Sequence, residues 1–143
     1  MKESNFLILG SLSKKPTHPY DLLKIINDKK GIGLIWKATK SNLYQDIAYL
    51  KKMGLISCEV FRQENRPDKK VYRLTKKGME VYQKWLSAPV MHGRDIRHQF
   101  LAKYFFIKAQ APKTLDELIT KQIEVVKEIL ENQKQKYHCY RGE

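Results

Sequence analysis

Cysteine is nearly missing: the 143 residues contain two, Cys58 and Cys139. They lie far apart without metal-ligand spacing, which excludes a disulfide framework or a cysteine zinc centre and fits a reducing compartment. Long apolar runs are missing too, since none approaches the ~20 residues that a membrane span needs. The short apolar run after Met1-Lys2 is not followed by a cleavage-site pattern, so no signal peptide and a cytoplasmic location are expected. A phosphate-binding glycine loop is absent: Gly31-Ile32-Gly33 is too short and follows a predicted helix rather than a strand. There is no zinc-type His/Glu motif and no serine elbow, and His92 and His98 show no ligand spacing. Carboxylates are few and scattered, 15 Asp and Glu against 28 Lys and Arg, so no enzyme site, cofactor or metal is expected. Internal repeats and low-complexity segments are also lacking.

What is present is positive charge, +13 formally. Residues 1–88 hold +10 of it and residues 89–143 only +3. That asymmetry suits a first domain, residues 1–88, that meets a polyanion, followed by a helical region, residues 89–143. Apolar residues make up 42% of the chain, enough for an ordinary globular core.

The first helix is expected over Ser4–Ser13, with Ser4 as cap and Phe6, Leu9 and Leu12 on one face, stopped before Pro16. A second restarts at Thr17-His18-Pro19-Tyr20, proline suiting a first turn, with Leu22, Leu23, Ile25 and Ile26 as its buried side. Trp36 is expected to anchor the following loop. The third helix carries the clearest pattern. Leu43, Ile47 and Leu50 form one apolar stripe, while Ser41, Gln45, Ala48 and Lys52 repeat on another face. Thr39 or Ser41 can cap its start, and Gly54 can supply the positive φ that ends it. A hairpin follows, Leu55–Gln63 and Lys69–Leu74 around Asn65-Arg66-Pro67-Asp68, with Cys58 read as a small core residue. A fourth helix opens at Thr75 and uses Val81, Tyr82, Trp85 and Leu86.

The fold class this predicts is mostly α with a small β-hairpin wing: a winged helix-turn-helix domain plus a C-terminal helical dimerisation region. A helix fits the DNA major groove, and its N-terminal residues reach base edges. Here those are Lys40, Ser41, Asn42, Tyr44 and Gln45. Lys37, Lys51 and Lys52 suit phosphates, and the hairpin tip offers Arg62, Arg66, Lys69 and Lys70. Tyr44 could instead buttress the core.

Beyond Pro89 an aromatic-rich helix is expected over Arg94–Ala111, then a last helix from a Thr114–Glu117 capping box to near Tyr137. In that helix Ile119, Ile123, Val126, Leu130, Gln133 and Tyr137 keep heptad spacing, which predicts a homodimer seam. Leu118, Val125 and Ile129 form a second line that can pack on the chain itself. Trp85, Phe100, Tyr104 and Phe105 could line an effector pocket, although aromatics at helical spacing more often fill cores.

The segments ILGSLSKKPTHPYDLLKII, SNLYQDIAYLKKMGLI and KKVYRLTKKG resemble the PadR-type winged-helix transcriptional regulators. The resemblance covers about residues 6–86 and extends more loosely through WLSAP and RDIRHQFLAKYFF. Pro19 and Asn42 depart from the family's usual glycine and small residue. The resemblance implies a homodimeric repressor on double-stranded DNA with a pseudo-palindromic operator, relieved by a small, often aromatic or phenolic, effector or by stress. The main alternative is a winged-helix protein-interaction module without specific DNA binding, which would leave the basic asymmetry idle. RNA binding fits the charge, but most aromatics fall on apolar faces.

Overall fold

A computed structural model describes residues 1–142, and Tyr140 only for its backbone. The chain divides into two compact units, Met1–Leu86 and a second from Ser87 onward.

The first unit runs α1 (Glu3–Lys14), α2 (Pro19–Ile26), a 3-10 turn at Ile32–Leu34, α3 (Lys40–Lys52), β1 (Ile56–Phe61), β2 (Lys69–Leu74) and α4 (Lys76–Ser87). Leu7, Ile8, Leu9 and Leu12 of α1 are buried with Leu22 and Ile26 of α2 and with Leu43, Ile47 and Leu50 of α3. Ser4 does not cap α1. The helix starts one residue earlier, and Asn5 Oδ1 accepts the Lys2 N–H at 2.8 Å. His18 closes the start of α2, its Nδ1 accepting the Tyr20 N–H at 3.1 Å. Eight residues bury only a narrow stripe, so Leu22 and Ile26, one turn apart, go inward while Ile25 is exposed.

The strands pair antiparallel from Ile56 opposite Leu74 to Phe61 opposite Lys69. Thr17 exchanges two backbone hydrogen bonds with Tyr72, both 3.0 Å, which ties the α1–α2 connection to the hairpin. Burial fades toward the tip: Ile56 is buried, Cys58 only half-buried and Val60 exposed, so Cys58 is less of a core residue than its alternation suggests. Burial pushes the Tyr72 hydroxyl above its usual pKa, with smaller contributions from Cys58 and Tyr44 beside it. At the start of α4, a Cβ on Gly78 would stand 2.0 Å from the Leu55 carbonyl oxygen, a distance only glycine avoids.

The second unit holds a 3-10 turn at Gly93–Asp95, α5 (Ile96–Gln110) and α6 (Pro112–Tyr140). Here α6 begins at Pro112, not at a Thr114 cap. Proline lacks the N–H that a first turn leaves unpaired, so it starts the helix itself, and the Thr114 hydroxyl donates to Ala111 O at 2.6 Å. Ala102, Phe106 and Ile107 of α5 are buried, as are Leu118, Gln122 and Val125 of α6. The Gln122 amide satisfies both backbone groups of Val90: its Oε1 accepts the N–H at 2.7 Å and its Nε2 donates to the carbonyl at 2.9 Å. Lys103 is buried as well and donates to the Ala88 carbonyl.

Burial lowers the Lys103 ammonium from 10.5 to about 8. Between those values the unfolded chain holds the proton more tightly than the folded one. Lys103 therefore costs stability below pH 8, and the cost is relieved as pH rises through that window. Denaturant titration should show the wild type gaining roughly 2 kcal/mol on Lys103→Met between pH 7 and pH 10. A gap that does not change with pH would contradict the assignment.

Candidate nucleic-acid interface

Helix α3 is fixed at both ends by side chains. Thr39 Oγ1 accepts the Asn42 N–H at 3.2 Å and caps the start. One residue upstream, Asn27 at the end of α2 grips Ala38 from both sides. Its Oδ1 accepts the Ala38 N–H at 2.8 Å and its Nδ2 donates to the Ala38 carbonyl at 2.9 Å. This pair of hydrogen bonds between side chain and backbone sets where α3 begins relative to α2. At the far end Gly54 takes φ +73°, and the Leu55 N–H returns to Leu50 O at 3.0 Å. Lys77 Nζ donates to Met53 O at 3.0 Å, and the Thr75 hydroxyl donates to Gly54 O at 2.8 Å, joining that end to the start of α4.

With Leu43, Ile47 and Leu50 inward, Ser41, Gln45, Ala48 and Lys52 form the central ridge of the outward face, and all four are exposed. Helical spacing puts Lys40, Tyr44 and Lys51 on one flank of that ridge and Asn42 and Tyr49 on the other. Tyr44 points outward rather than into the core, close enough to Tyr72 to affect its ionisation. At the hairpin tip every residue from 61 to 70 is exposed, including Arg62, Arg66, Lys69 and Lys70, and Asn65 turns the chain at φ 56°. Lys37 stands exposed in the loop before α3. Among the described residues none of these eight cations takes part in an ion pair, so their charge is available to an outside anion.

Two residues that matter here gave no signal in the sequence. Asn27 reads as an ordinary helix-ending turn former, because its partner is eleven positions away. Asp46 lies within α3 yet is buried, although an acidic residue on a polar helix is usually solvated. The aromatic residues that could serve an effector fall in different units. Trp85 stacks on Phe6 in the first, with centroids 4.9 Å apart. Phe100, Tyr104 and Phe105 lie on α5 in the second, where Phe105 meets Phe106 edge-on and Lys108 sits over the Tyr104 ring. Among the described residues no group of three His, Cys, Asp or Glu could hold a metal ion.

Three helices closed by a two-stranded hairpin, with an outward polar ridge on the third, define a winged helix-turn-helix. The PadR-like family of transcriptional regulators matches residues 8–84, and the chain belongs to that family. It is 26% identical over 124 residues to the negative transcriptional regulator PadR of Bacillus subtilis, covering 87% of this chain and 67% of that one. A regulator of Mycobacterium tuberculosis matches over 90 residues at 28% identity, of which this chain spans 47% of the length. The crystal structure of Bacillus subtilis PadR in complex with operator DNA superposes with a TM-score of 0.60 at 24% identity, over 97% of this chain and 78% of that one. A Streptococcus mutans structure gives 0.56 at 26% identity, over 99% and 82%.

Asn27→Ala would leave both Ala38 backbone groups unpaired in a half-buried site. Equilibrium unfolding should show a loss of about 1–3 kcal/mol, and a loss within a few tenths would mean that the clamp does not hold α3.

Proposed function

We propose that this PadR-family chain is a cytoplasmic, sequence-specific DNA-binding repressor that works as a homodimer. The observation that carries the reading is the exposed ridge of Ser41, Gln45, Ala48 and Lys52 beside seven further cations, none of them, nor Lys52, in an ion pair among the described residues. Gln45, Ser41 and Asn42 are the groups for base edges. Lys37, Lys40, Lys51, Lys52 and the hairpin cations take phosphates, with Tyr44 donating its hydroxyl to one. A protein-interaction module would give those cations nothing to do.

The dimer is proposed to form along α6. Leu118, Gln122 and Val125 are buried within the unit, whereas Ile119, Ile123, Leu130 and Tyr137 are exposed on a neighbouring line and Val126 is half-buried. Ile123 is 49% and Leu130 54% exposed, much apolar surface for a helix to leave in water. A second copy of the same line would cover it, and two-fold pairing suits a pseudo-palindromic operator with half-sites roughly 10 or 20 base pairs apart. Relief by a small aromatic effector or a stress signal completes the reading, with Phe100, Tyr104 and Phe105 as candidate contacts.

Selection of bound duplexes from a random pool tests the reading directly and supplies the operator. Gln45→Ala should then reduce the preference for that operator over shuffled DNA, by roughly 1–3 kcal/mol. Lys70→Ala should weaken both alike and flatten the salt dependence. Equal losses on both duplexes for both variants would refute these roles. Ile123→Asp with Leu130→Asp should yield a monomer by sedimentation and lower operator affinity; a retained dimer would rule out the α6 seam.

A further inference from the structure

The start of α1 shares a cleft with the Asn42–Tyr49 flank of α3. Its larger lobe, of about 460 Å³, is lined by Met1, Lys2 and Asn5 with Gln45, Asp46 and Tyr49. Lys2 and Asp46 also line a smaller lobe, of about 240 Å³, together with Ser4 and Lys37.

Three features of this cleft call for an acceptor. Asn5 is 1% exposed; its Oδ1 accepts the Lys2 N–H, but its Nδ2 has no hydrogen-bond partner among the described residues. A buried N–H without an acceptor is costly, and only a group with an oxygen or nitrogen lone pair can satisfy it. Lys2 stands at the N-cap of α1, and a lysine side chain has only donors, so it cannot close the first turn. A helix of 12 residues thereby presents its positive end here. The charges of the lining point the same way. Its one carboxylate, Asp46, has the Lys2 ammonium 3.8 Å away, Lys37 adds a second cation, and Glu3 lines neither lobe.

The occupant follows from position, and rests on the proposed role of α3 in DNA binding. Gln45 lines the larger lobe and also belongs to the ridge. A base edge that Gln45 reaches lies in a major groove about 12 Å wide, walled on both sides by phosphates, so each flank of α3 meets a wall. One flank brings its own cations, Lys40 and Lys51. The other, Asn42 and Tyr49, brings none, and α1 supplies Lys2 beside it, with a side chain 75% exposed. We infer that the start of α1 is an oxyanion site whose occupant is a backbone phosphate of the duplex that α3 reads. Lys2 and the first turn of α1 meet the phosphate, and Asn5 Nδ2 donates to one of its oxygens. Asp46 keeps the Lys2 ammonium beside the cleft. The duplex is thus held by a helix that lies outside the helix-turn-helix itself.

The test takes the full chain and its selected operator, with each phosphate of one half-site replaced in turn by a neutral methylphosphonate. Lys2→Ala should weaken operator and shuffled duplex alike, about tenfold, and reduce the salt slope by about one. Asn5→Asp keeps the oxygen that accepts the Lys2 N–H and replaces the donor by a negative oxygen, so it should weaken both duplexes at least as much. At one phosphate of the half-site, methylphosphonate should cost the wild type about tenfold and Lys2→Ala markedly less. Variants that bind as the wild type does, or methylphosphonate losses equal in wild type and Lys2→Ala at every position, would overturn the contact. Inorganic phosphate separates the two sources of oxyanion. Without DNA, millimolar phosphate should shift the Asn5 side-chain NH₂ resonance, and bound operator should abolish that shift. A shift that persists in the operator complex would assign the site to a free anion and overturn the DNA contact. A wild type that retains no selected duplex would refute the DNA reading and this contact with it, a result distinct from variants that match a wild type that binds.

Discussion

One constraint governs the first unit: α3 has to bury a stripe without surrendering the face opposite. Leu43, Ile47 and Leu50 hold it down, each worth roughly 2 kcal/mol of apolar burial. Such burial is non-directional, and would by itself let the helix slide or rotate. The directional groups prevent this. Thr39 and the Asn27–Ala38 clamp define the first turn, and Gly54, Lys77 and Thr75 define the last. With both ends fixed, Ser41, Gln45, Ala48 and Lys52 stay in solvent on a rigid element. A surface meant to match a repeating partner needs that rigidity.

The same constraint explains which features were legible in the sequence. A stripe with spacing of three and four residues is local, and so are a capping threonine and a glycine at a helix end. The third helix and the hairpin could therefore be read directly, including the exposure of all the ridge residues. Asn27, Asp46 and Thr17 depend on groups that only the folded chain brings near. Nothing in the residues around Asp46 distinguishes it from a solvated carboxylate, because its burial is decided by α1, more than thirty positions earlier. The misplaced start of α6 is a local error instead. Thr114–Glu117 and Pro112 are both valid start signals two residues apart, and proline prevailed because a first turn needs nothing that proline lacks. Ile25 shows the limit of composition, since hydrophobicity does not say how wide a stripe a short helix can bury.

In the second unit polar groups do the positioning. Gln122 is one of the inward residues of α6, and its amide answers both backbone groups of Val90 in a place where an aliphatic side chain would leave them unpaired. This fixes the rotation of α6 about its axis. Once Leu118, Gln122 and Val125 face inward, helical geometry obliges Ile119, Ile123 and Leu130 to face elsewhere. The exposed line is thus a consequence of how the inner line is satisfied. It could not be buried by turning the helix without orphaning Val90.

Charge and shape reinforce each other at the proposed interface. A net +13 is mildly self-repelling, and the hairpin tip sets four cations against only Glu64 and Asp68, on a stretch of backbone that is exposed throughout. Their cross-strand support is modest. Arg73 meets Glu59 at 3.3 Å, but both are about half exposed, so the pair contributes little. What keeps the hairpin in place lies at its base, where Thr17 bonds Tyr72 and Gly78 permits the close approach of α4 to Leu55. The base is therefore the anchored end, and a polyanion at Arg62, Arg66, Lys69 and Lys70 would relieve the excess positive charge that Glu64 and Asp68 leave at the tip.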